Sequence, residues 1–250
     1  MSSLSQYLIN KPVIELDSID STNNYAMLLV DADKAEDGMT ITATMQTAGK
    51  GQRGRQWIAN AGESLLMSVI VKPVWPLEQQ FLLCAAAALS VAEAVESFID
   101  QAAYIKWTND VFVGDKKAGG ILIENVLRGN RWNYAVIGIG LNLLQSDFPA
   151  ELPHATSIKK ASGRTLNLTE VRDEIRMRLF KRLADRPDAL RLINDYNGLL
   201  FRKDALQRFS NENGEWIARV VGATSEGKLE VINEAGETAF YTHGVQNWVL

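Results

Sequence analysis

The most informative segment of the chain reads Gln46-Thr-Ala-Gly49-Lys50-Gly51-Gln52-Arg53-Gly54-Arg55-Gln-Trp57. It follows Met39–Met45, whose alternating β-branched residues predict a strand. The glycines allow positive φ angles and a close approach of backbone to a ligand. The cationic side chains between them are what a phosphate or carboxylate ligand requires. The spacing matches neither a phosphate-binding P-loop nor a dinucleotide-binding glycine fingerprint. Such a loop can equally be a mobile turn, and Trp57 is either a core anchor or a stacking surface for an adenine ring.

A second cluster reads Lys106-Trp107-Thr108-Asn109-Asp110 and is followed by Lys116-Lys117-Ala118-Gly119-Gly120-Ile121. A strand–turn–strand unit here would aim Lys117 and the carboxamide of Asn109 into one pocket. Paired lysines near a glycine are also typical of a solvated hairpin tip. Asp110 either holds a hydrated magnesium ion or caps a turn.

Two other segments carry polar or small residues at the ends of predicted elements. Ser21-Thr-Asn-Asn predicts a helix start, because its side chains can accept hydrogen bonds from free backbone N–H groups. Gly138-Ile-Gly140-Leu-Asn142 ends an apolar strand. Its small residues indicate that something packs on the backbone, which ordinary contact between sheet and helix would also explain.

Hydrophobic periodicity predicts an α+β chain whose character changes near residue 205. Beyond that point, short strands separated by glycines predict a small antiparallel barrel. Four helices are predicted. The first begins at Ser21, the second spans Gln79–Ile99, the third begins at a Thr169 cap, and the fourth follows Pro187. The predicted strands are Met39–Met45, Ser64–Val71, Tyr104–Trp107, Val111–Val113, Gly120–Val126, Trp132–Ile139, Trp216–Val221, Leu229–Ile232, Thr238–Tyr241 and Trp248–Leu250, with a turn at Gly114-Asp115.

Composition narrows the function classes. The chain has 250 residues, an apolar fraction of 46% and a net charge of −4, which fits a packed core and gives no reason to expect a non-specific nucleic-acid binder. One cysteine and two histidines are too few ligands for a zinc site built from histidine and cysteine. A single cysteine cannot form an internal disulfide, which fits a reducing compartment. The N-terminus lacks a secretory signal pattern, and the longest apolar run, Phe81–Ala92, is too short to span a bilayer. We therefore expect a soluble, cytoplasmic protein with no membrane partner.

Five motifs, in this order, resemble those of the biotin–protein ligase family. They are Asp20-Ser-Thr-Asn23, Gln46 to Trp57, Lys106-Trp-Thr-Asn-Asp110, Lys117-Ala-Gly-Gly120 and Gly138-Ile-Gly-Leu-Asn142. The resemblance implies a mixed β-sheet flanked by helices, similar to class II synthetases, followed by a small SH3-like β-barrel. Residues 1–203 would form the catalytic domain and residues 204–250 the barrel.

The resemblance also implies a role for each motif residue. Lys117 would be the catalytic residue and would contact both the biotin carboxylate and the α-phosphate of ATP. Hydroxyl and amide groups suit the ureido ring of biotin, which offers two donors and one acceptor. The implied biotin-binding residues are Ser21, Thr22, Asn23, Gln46, Gly49, Lys50, Gly51, Gln52 and Gly120, and the implied ATP or adenylate-binding residues are Arg53, Arg55, Trp57, Asn109 and Asn142.

The implied reaction is formation of biotinyl-5'-AMP from biotin and ATP with Mg²⁺, followed by transfer of biotin to a lysine of a carrier protein. Asp110 is the candidate magnesium contact on its own chemistry, with a turn cap as the alternative. The partner implied by the resemblance is the biotin carboxyl carrier domain of a biotin-dependent carboxylase. The Ser21 motif begins too early in the chain for a preceding DNA-binding domain, so no DNA partner is expected. Apolar strand edges around Ile121–Val126 or Val136 could pair in a homodimer.

One departure and two alternatives accompany this interpretation. Gly49-Lys50-Gly51-Gln52 replaces the usual Gly-Arg-Gly-Arg, so Lys50 lacks the planar fork of arginine and Gln52 lacks charge. We expect weaker retention of the adenylate than in a Gln52→Arg variant. The alternatives are a lipoate or octanoate ligase, whose Arg-Arg-x-x-Gly-Gly-Gly loop is not found, and a non-catalytic biotin- or nucleotide-binding module.

Overall fold

A seven-stranded mixed sheet forms the larger part of the molecule in the computed structural model, which describes residue 6 and residues 9–250. Its strand order is β1-β2-β3-β7-β6-β5-β4. Only β1 and β2 run parallel, and the other neighbours are antiparallel. The strands are β1 (Val13–Ile19), β2 (Thr40–Gln46), β3 (Ser64–Val71), β4 (Ala103–Lys106), β5 (Asp110–Val113), β6 (Lys116–Arg128) and β7 (Arg131–Asn142).

Helices cover both faces of this sheet. One lies against β2, β3 and β7, and the others pack on the opposite face around a long alanine-rich helix. Because β3 is covered on both sides, every residue in it is buried. The helices are α1 (Thr22–Asp31), α2 (Gln80–Phe98), α3 (Ile158–Ser162), α4 (Leu168–Asp185) and α5 (Ala189–Gly198).

A second, five-stranded antiparallel sheet follows, with the order β11-β10-β9-β8-β12. We refer to it as the C-terminal sheet. Phe209 packs at its centre, with ring centroids 5.1 Å from Tyr241 and 5.6 Å from Trp248. Its strands are β8 (Leu206–Asn211), β9 (Gly214–Ala223), β10 (Leu229–Asn233), β11 (Thr238–Tyr241) and β12 (Asn247–Val249).

These elements confirm the predicted α+β class, the mixed sheet and the small C-terminal β-structure. Two strands, β1 and β8, were not predicted. The proposed cap of α4 was wrong, because the side chain of Asn167, and not of Thr169, accepts the free backbone N–H groups. Val136 is no strand edge either, since β7 is paired with β3 on one side and β6 on the other.

The long helix α2 is unusually apolar. Within the described part of the chain, the segment Leu77–Phe98 has the length and apolar composition of a membrane span. It is longer than the apolar run Phe81–Ala92 on which the sequence prediction relied. Most residues of α2 are buried against the sheet, α4 and α5, so here this segment is the central helix of the hydrophobic core.

Candidate active site

The first group of site residues lies where α1 begins. Ser21, Thr22 and Asn23 are buried, and Gln46 ends the neighbouring strand β2. The backbone N–H of Thr22 donates to Oε1 of Gln46 at 2.8 Å, and the Thr22 hydroxyl lies 3.0 Å from the same oxygen. The Ser21 side chain makes no cap hydrogen bond, so the expected capping by this motif is wrong. The side chain of Gln46 instead accepts from the first free N–H of the helix. This contact links the Asp20–Asn23 motif to the Gln46–Trp57 motif.

Ser68 belongs to the same group and was missed in the sequence. It is wholly buried in β3, and its hydroxyl lies 2.7 Å from that of Thr22 and 2.6 Å from Oδ1 of Asn23. A serine within an otherwise apolar strand was the available signal, because buried polar groups need a partner. We call Thr22, Asn23, Gln46 and Ser68 the polar cluster.

Asn23 lies over a glycine of β7. A Cβ atom on Gly138 would approach Oδ1 of Asn23 to 2.3 Å, which no side chain could accommodate. The Asn23 amide also donates to Oε2 of Glu124 in β6 at 2.7 Å. The small residue at position 138 is therefore required by the polar cluster, in agreement with the prediction that something packs on this backbone.

Residues 49–57 form a compact turn, which we call the glycine loop. The N–H of Gly51 donates to the carbonyl of Arg55 at 2.7 Å, and the N–H of Trp57 donates to that of Gly49 at 2.9 Å. Lys50 extends to Oε1 of Glu124 at 3.2 Å. The guanidinium of Arg53 instead donates to backbone carbonyls of the C-terminal sheet region. Arg55 is exposed and Gln52 is half-buried.

The indole of Trp57 occupies space that two glycines leave free. A Cβ atom would lie 2.5 Å from the indole at Gly140 and 3.3 Å at Gly120. The indole N–H is buried without a hydrogen-bond partner among the described residues. Lys117 places its ammonium 5.8 Å from the centre of the Trp57 ring and 2.7 Å from Oδ1 of Asp110. The structure thus brings these predicted residues together.

The two predicted asparagines, Asn109 and Asn142, are buried and have protein partners. Asn109 donates to the carbonyl of Ile121 at 2.5 Å. Asn142 donates to the carbonyl of Thr156 at 3.1 Å and accepts from Gln145 at 3.2 Å. In this structure both side chains hold neighbouring backbone or side chains in place.

Two more ionisable side chains, Lys106 and His243, lie within electrostatic range of Asp110. Burial lowers the pKa of Lys106 from 10.5 to about 8, opposed by the negative charge of Asp110 and reinforced by the positive charges of Lys117 and Arg55. His243, from the C-terminal sheet region, has its pKa lowered by burial and then by the charge of Arg53. Its ring lies 5.5 Å from Trp107, edge to face. Neither Lys106 nor His243 was assigned a role from the sequence.

Within residue 6 and residues 9–250, no three histidine, cysteine or acidic side chains are grouped so as to hold a metal ion. The site instead combines neutral hydroxyl and carboxamide groups with a cationic loop and Lys117. Neutral donors and acceptors select the shape and polarity of a ligand, whereas cations beside exposed backbone stabilise a carboxylate or phosphate. Fold and site together define a protein that binds a small molecule with an anionic end.

Comparisons with known proteins agree with this class. Residues 15–142 match the model of the biotin/lipoate A/B protein ligase family. The bifunctional ligase/repressor BirA of Bacillus spizizenii is 30% identical over 253 residues, covering 97% of this chain and 76% of that protein. The biotin–[acetyl-CoA-carboxylase] ligase of Paracoccus denitrificans is 30% identical over 223 residues, covering 87% and 89%. The solved structure of a biotin protein ligase from Aquifex aeolicus in complex with biotin and ATP has a TM-score of 0.78 at 24% identity, covering 96% of this chain and 99% of that one.

The chain belongs to the biotin/lipoate A/B protein ligase family. The family match spans the polar cluster, the glycine loop, Lys117 and the Gly138–Asn142 segment. The similarity to the Aquifex structure supports the fold of the whole described chain, including the C-terminal sheet.

Proposed function

We propose that the protein is a biotin–[biotin carboxyl-carrier protein] ligase. It forms biotinyl-5'-AMP from biotin and ATP and then transfers biotin to a specific lysine of a carrier protein. The Bacillus spizizenii relative is by name a ligase, and the Paracoccus denitrificans relative is by name a ligase that acts on biotin. A cytoplasmic location is part of the proposal, because ATP is the co-substrate.

One observation carries the proposal: a single carboxylate joins the polar cluster to the glycine loop. Glu124 accepts from Asn23 through one oxygen and pairs with Lys50 through the other. Neutral and cationic halves of the site are therefore adjacent. Biotin has a neutral ureido ring at one end and a carboxylate at the other, and this arrangement is complementary to both ends.

The predicted binding residues divide accordingly. Ser21, Thr22, Asn23 and Gln46 would hold the ureido ring, and the backbone and side chains of the glycine loop would cover the carboxylate. The unpartnered N–H and the face of Trp57 lie beside Lys117. We assign that region to the nucleotide, with Asn109 and Asn142 supporting its walls.

The first step brings two anions together, because the biotin carboxylate must attack the α-phosphorus of ATP. An oxygen–phosphorus bond forms, the bond to the β-phosphate breaks, and pyrophosphate leaves with the electron pair. Lys117, held 2.7 Å from Asp110, would offset the repulsion and stabilise charge on the α-phosphate by position and electrostatics.

In the second step the acceptor lysine amine attacks the acyl carbon of the adenylate. The acyl–oxygen bond breaks, AMP leaves with the electron pair, and the amine loses a proton to become an amide. Because the mixed anhydride must persist until the carrier protein arrives, the glycine loop would shield it from water.

Mg²⁺ is proposed to enter with ATP as part of the substrate. The ion prefers oxygen ligands and is usually held by one or two carboxylates together with substrate phosphates. Asp110 is the carboxylate beside Lys117, so its chemistry fits a magnesium contact, and its Oδ1 is paired with Lys117.

Pyrophosphate release from MgATP tests the proposal, with biotin or lipoate supplied as the acid. Wild-type protein should release pyrophosphate only with biotin, and Lys117→Ala should reduce the rate by roughly 100-fold or more. Lys116→Ala is the matched control, because Lys116 is exposed at the start of the same strand and should retain the wild-type rate.

Other outcomes would assign the site differently. Release with lipoate alone would make the protein a lipoate ligase with the same chemistry. Biotin binding without any release, from folded protein, would indicate the non-catalytic module. Equal loss in Lys116→Ala and Lys117→Ala would contradict the role given to Lys117.

A further inference from the structure

The C-terminal sheet contacts two of the site motifs through its backbone carbonyls. Trp107 Nε1 donates to the carbonyl of Gly227 at 3.1 Å, and Lys106 Nζ donates to that of Trp248 at 3.3 Å. Arg53, from the glycine loop, makes the third set of contacts. The side chains that surround the proposed nucleotide region are thus held by a part of the molecule outside the family match.

The Arg53 contact has a specific shape. Nη1 donates to the carbonyl of Gly244 at 2.7 Å, and Nη2 donates to that of His243 at 2.9 Å. A Cβ atom on Gly244 would lie 0.9 Å from Nη2 and 1.5 Å from Cζ. The guanidinium therefore occupies the volume that any other residue at position 244 would fill.

The backbone has a positive φ at both partners, which is ordinary for Gly244 and uncommon for Arg53. Gly244 has a φ of 85°, and Arg53 has a φ of 59°. A left-handed conformation costs a non-glycine residue about 1 kcal/mol or more, so it persists only where surrounding contacts offset that cost. The paired hydrogen bonds from Arg53 supply such a constraint, because a planar guanidinium can reach two adjacent carbonyls at once.

The glycine loop is consequently anchored at two points on opposite sides. Lys50 is joined to Glu124 beside the polar cluster, and Arg53 is joined to residues 243 and 244 of the C-terminal region. We infer that Gly244 and the carbonyls of His243 and Gly244 form a seat that positions the Arg53-to-Trp57 part of the glycine loop over the nucleotide. The inference rests on the proposed function and makes Gly244 a positioning residue that acts through Arg53.

Gly244→Ala tests the seat, because the added methyl group displaces the guanidinium. We expect the KM for ATP to rise about tenfold, which corresponds to about 1.4 kcal/mol. The Kd for biotin should change by no more than about twofold, since Lys50 and the polar cluster are untouched. Gly236→Ala is the matched control: Gly236 has a φ of 81° in the same sheet, with nothing within 4 Å of an added Cβ. Equal KM values for ATP in the two variants would overturn the inference.

A double-mutant cycle tests whether Gly244 acts through Arg53. If Arg53 acts through the seat, Gly244→Ala combined with Arg53→Ala should raise the KM for ATP no further than Arg53→Ala alone. Effects that multiply would show that Gly244 acts independently and would overturn the inference. Should Gly244→Ala fail to fold, Arg53→Lys keeps the charge but loses the planar fork. A wild-type KM for ATP in Arg53→Lys would then overturn it.

Limited trypsin digestion of ligand-free protein tests the seat without relying on catalytic activity. Release of the loop should accelerate cleavage after Arg55 in Gly244→Ala but not in Gly236→Ala, because proteases attack mobile loops. If wild-type protein released no pyrophosphate yet showed this difference, the proposed function would fail while the seat would stand. Equal cleavage of both variants would refute the seat itself.

Discussion

At the scale of single residues, Ser68 connects fold stability to ligand binding. Its hydroxyl is wholly buried and contacts both Thr22 and Asn23. Ser68→Ala leaves these two groups short of a partner, which should lower the free energy of unfolding by about 1–2 kcal/mol. The looser polar cluster should also raise the KM for biotin roughly fivefold. Urea unfolding and biotin-dependent pyrophosphate release would measure the two effects.

A matched control for Ser68 lies in helix α2. Ser90 is equally buried, and its hydroxyl donates to the carbonyl of Ala86 within the helix, far from the polar cluster. Ser90→Ala should leave the KM for biotin unchanged. If both variants raised this KM alike, the effect of Ser68 would be one of general stability.

Which site residues could be predicted depends on whether their chemistry is visible locally. Lys117 and Lys50 stand beside glycines in recognisable motifs, and the structure places both in the site. Ser68 and Glu124 lie in strands that read as ordinary sheet, and their importance arises from side chains more than forty residues away in sequence. The contact of Arg53 with residues 243 and 244 has no local signature at all.

Lys106 gives the fold a pH dependence whose sign follows from burial. Its pKa is lowered from 10.5 to about 8 in the folded protein. Between these values the unfolded state holds a proton that the folded state has lost, so stability rises with pH across this window. Below about pH 8 both states are protonated at this residue, and its contribution to the slope disappears.

The test compares wild-type protein with Lys106→Met, which keeps an unbranched side chain of similar length. The free energy of unfolding of the wild type, minus that of the variant, should increase as pH rises from about 7 to about 10. Cys84 and Tyr196 also have raised pKa values through burial, but they are common to both proteins and cancel. A difference that stays constant with pH would contradict the assignment.

At the scale of elements, the N-cap of α4 differs between prediction and structure: the sequence predicted Thr169, and the structure has Asn167. Oδ1 of Asn167 accepts from the N–H groups of Thr169 at 2.8 Å and Glu170 at 3.3 Å. Asn167→Ala should therefore lower the free energy of unfolding by about 1 kcal/mol. Thr169→Ala, at the exposed position first taken for the cap, should change it by less than about 0.5 kcal/mol. Thermal unfolding of both variants decides between the two caps.

Elements with a clear local pattern were predicted closely whether long or short, whereas two half-polar strands were missed. Ser64–Val71 agrees with β3 residue for residue, because both faces of that strand are covered. Strands β1 and β8 carry several polar residues and owe their conformation to pairing with β2, β9 and β12. Strand propensity depends on such neighbours, so a local pattern could not identify these two strands.

At the scale of the whole molecule, the two sheets share one hydrophobic core. The second sheet begins at Leu206, close to the boundary predicted at residues 203 and 204. Phe201 nevertheless packs against Phe112 with ring centroids 4.8 Å apart and against Trp248 at 6.1 Å. One contiguous cluster of buried side chains joins a face of the larger sheet to the C-terminal sheet, while a smaller second cluster lies under α1. We therefore expect residues 1–203 and 204–250 to unfold together.

Phe209 provides the test, since it is 1% exposed at the centre of the C-terminal sheet, whereas Phe240 in the same sheet is 53% exposed. Phe209→Ala should destabilise by about 3–5 kcal/mol through loss of burial and creation of a cavity, and Phe240→Ala should cost far less. Because the core is continuous, Phe209→Ala should lower the midpoint seen by helical circular dichroism, which reports on α2 and α4, as much as the midpoint seen by tryptophan fluorescence. The fluorescence is recorded in a background in which only Trp216 and Trp248 remain and the other four tryptophans are replaced by phenylalanine. A helical signal that kept its wild-type midpoint while the fluorescence midpoint fell would instead show that the C-terminal sheet unfolds as an independent domain, and the seat for Arg53 could then be lost without unfolding the rest.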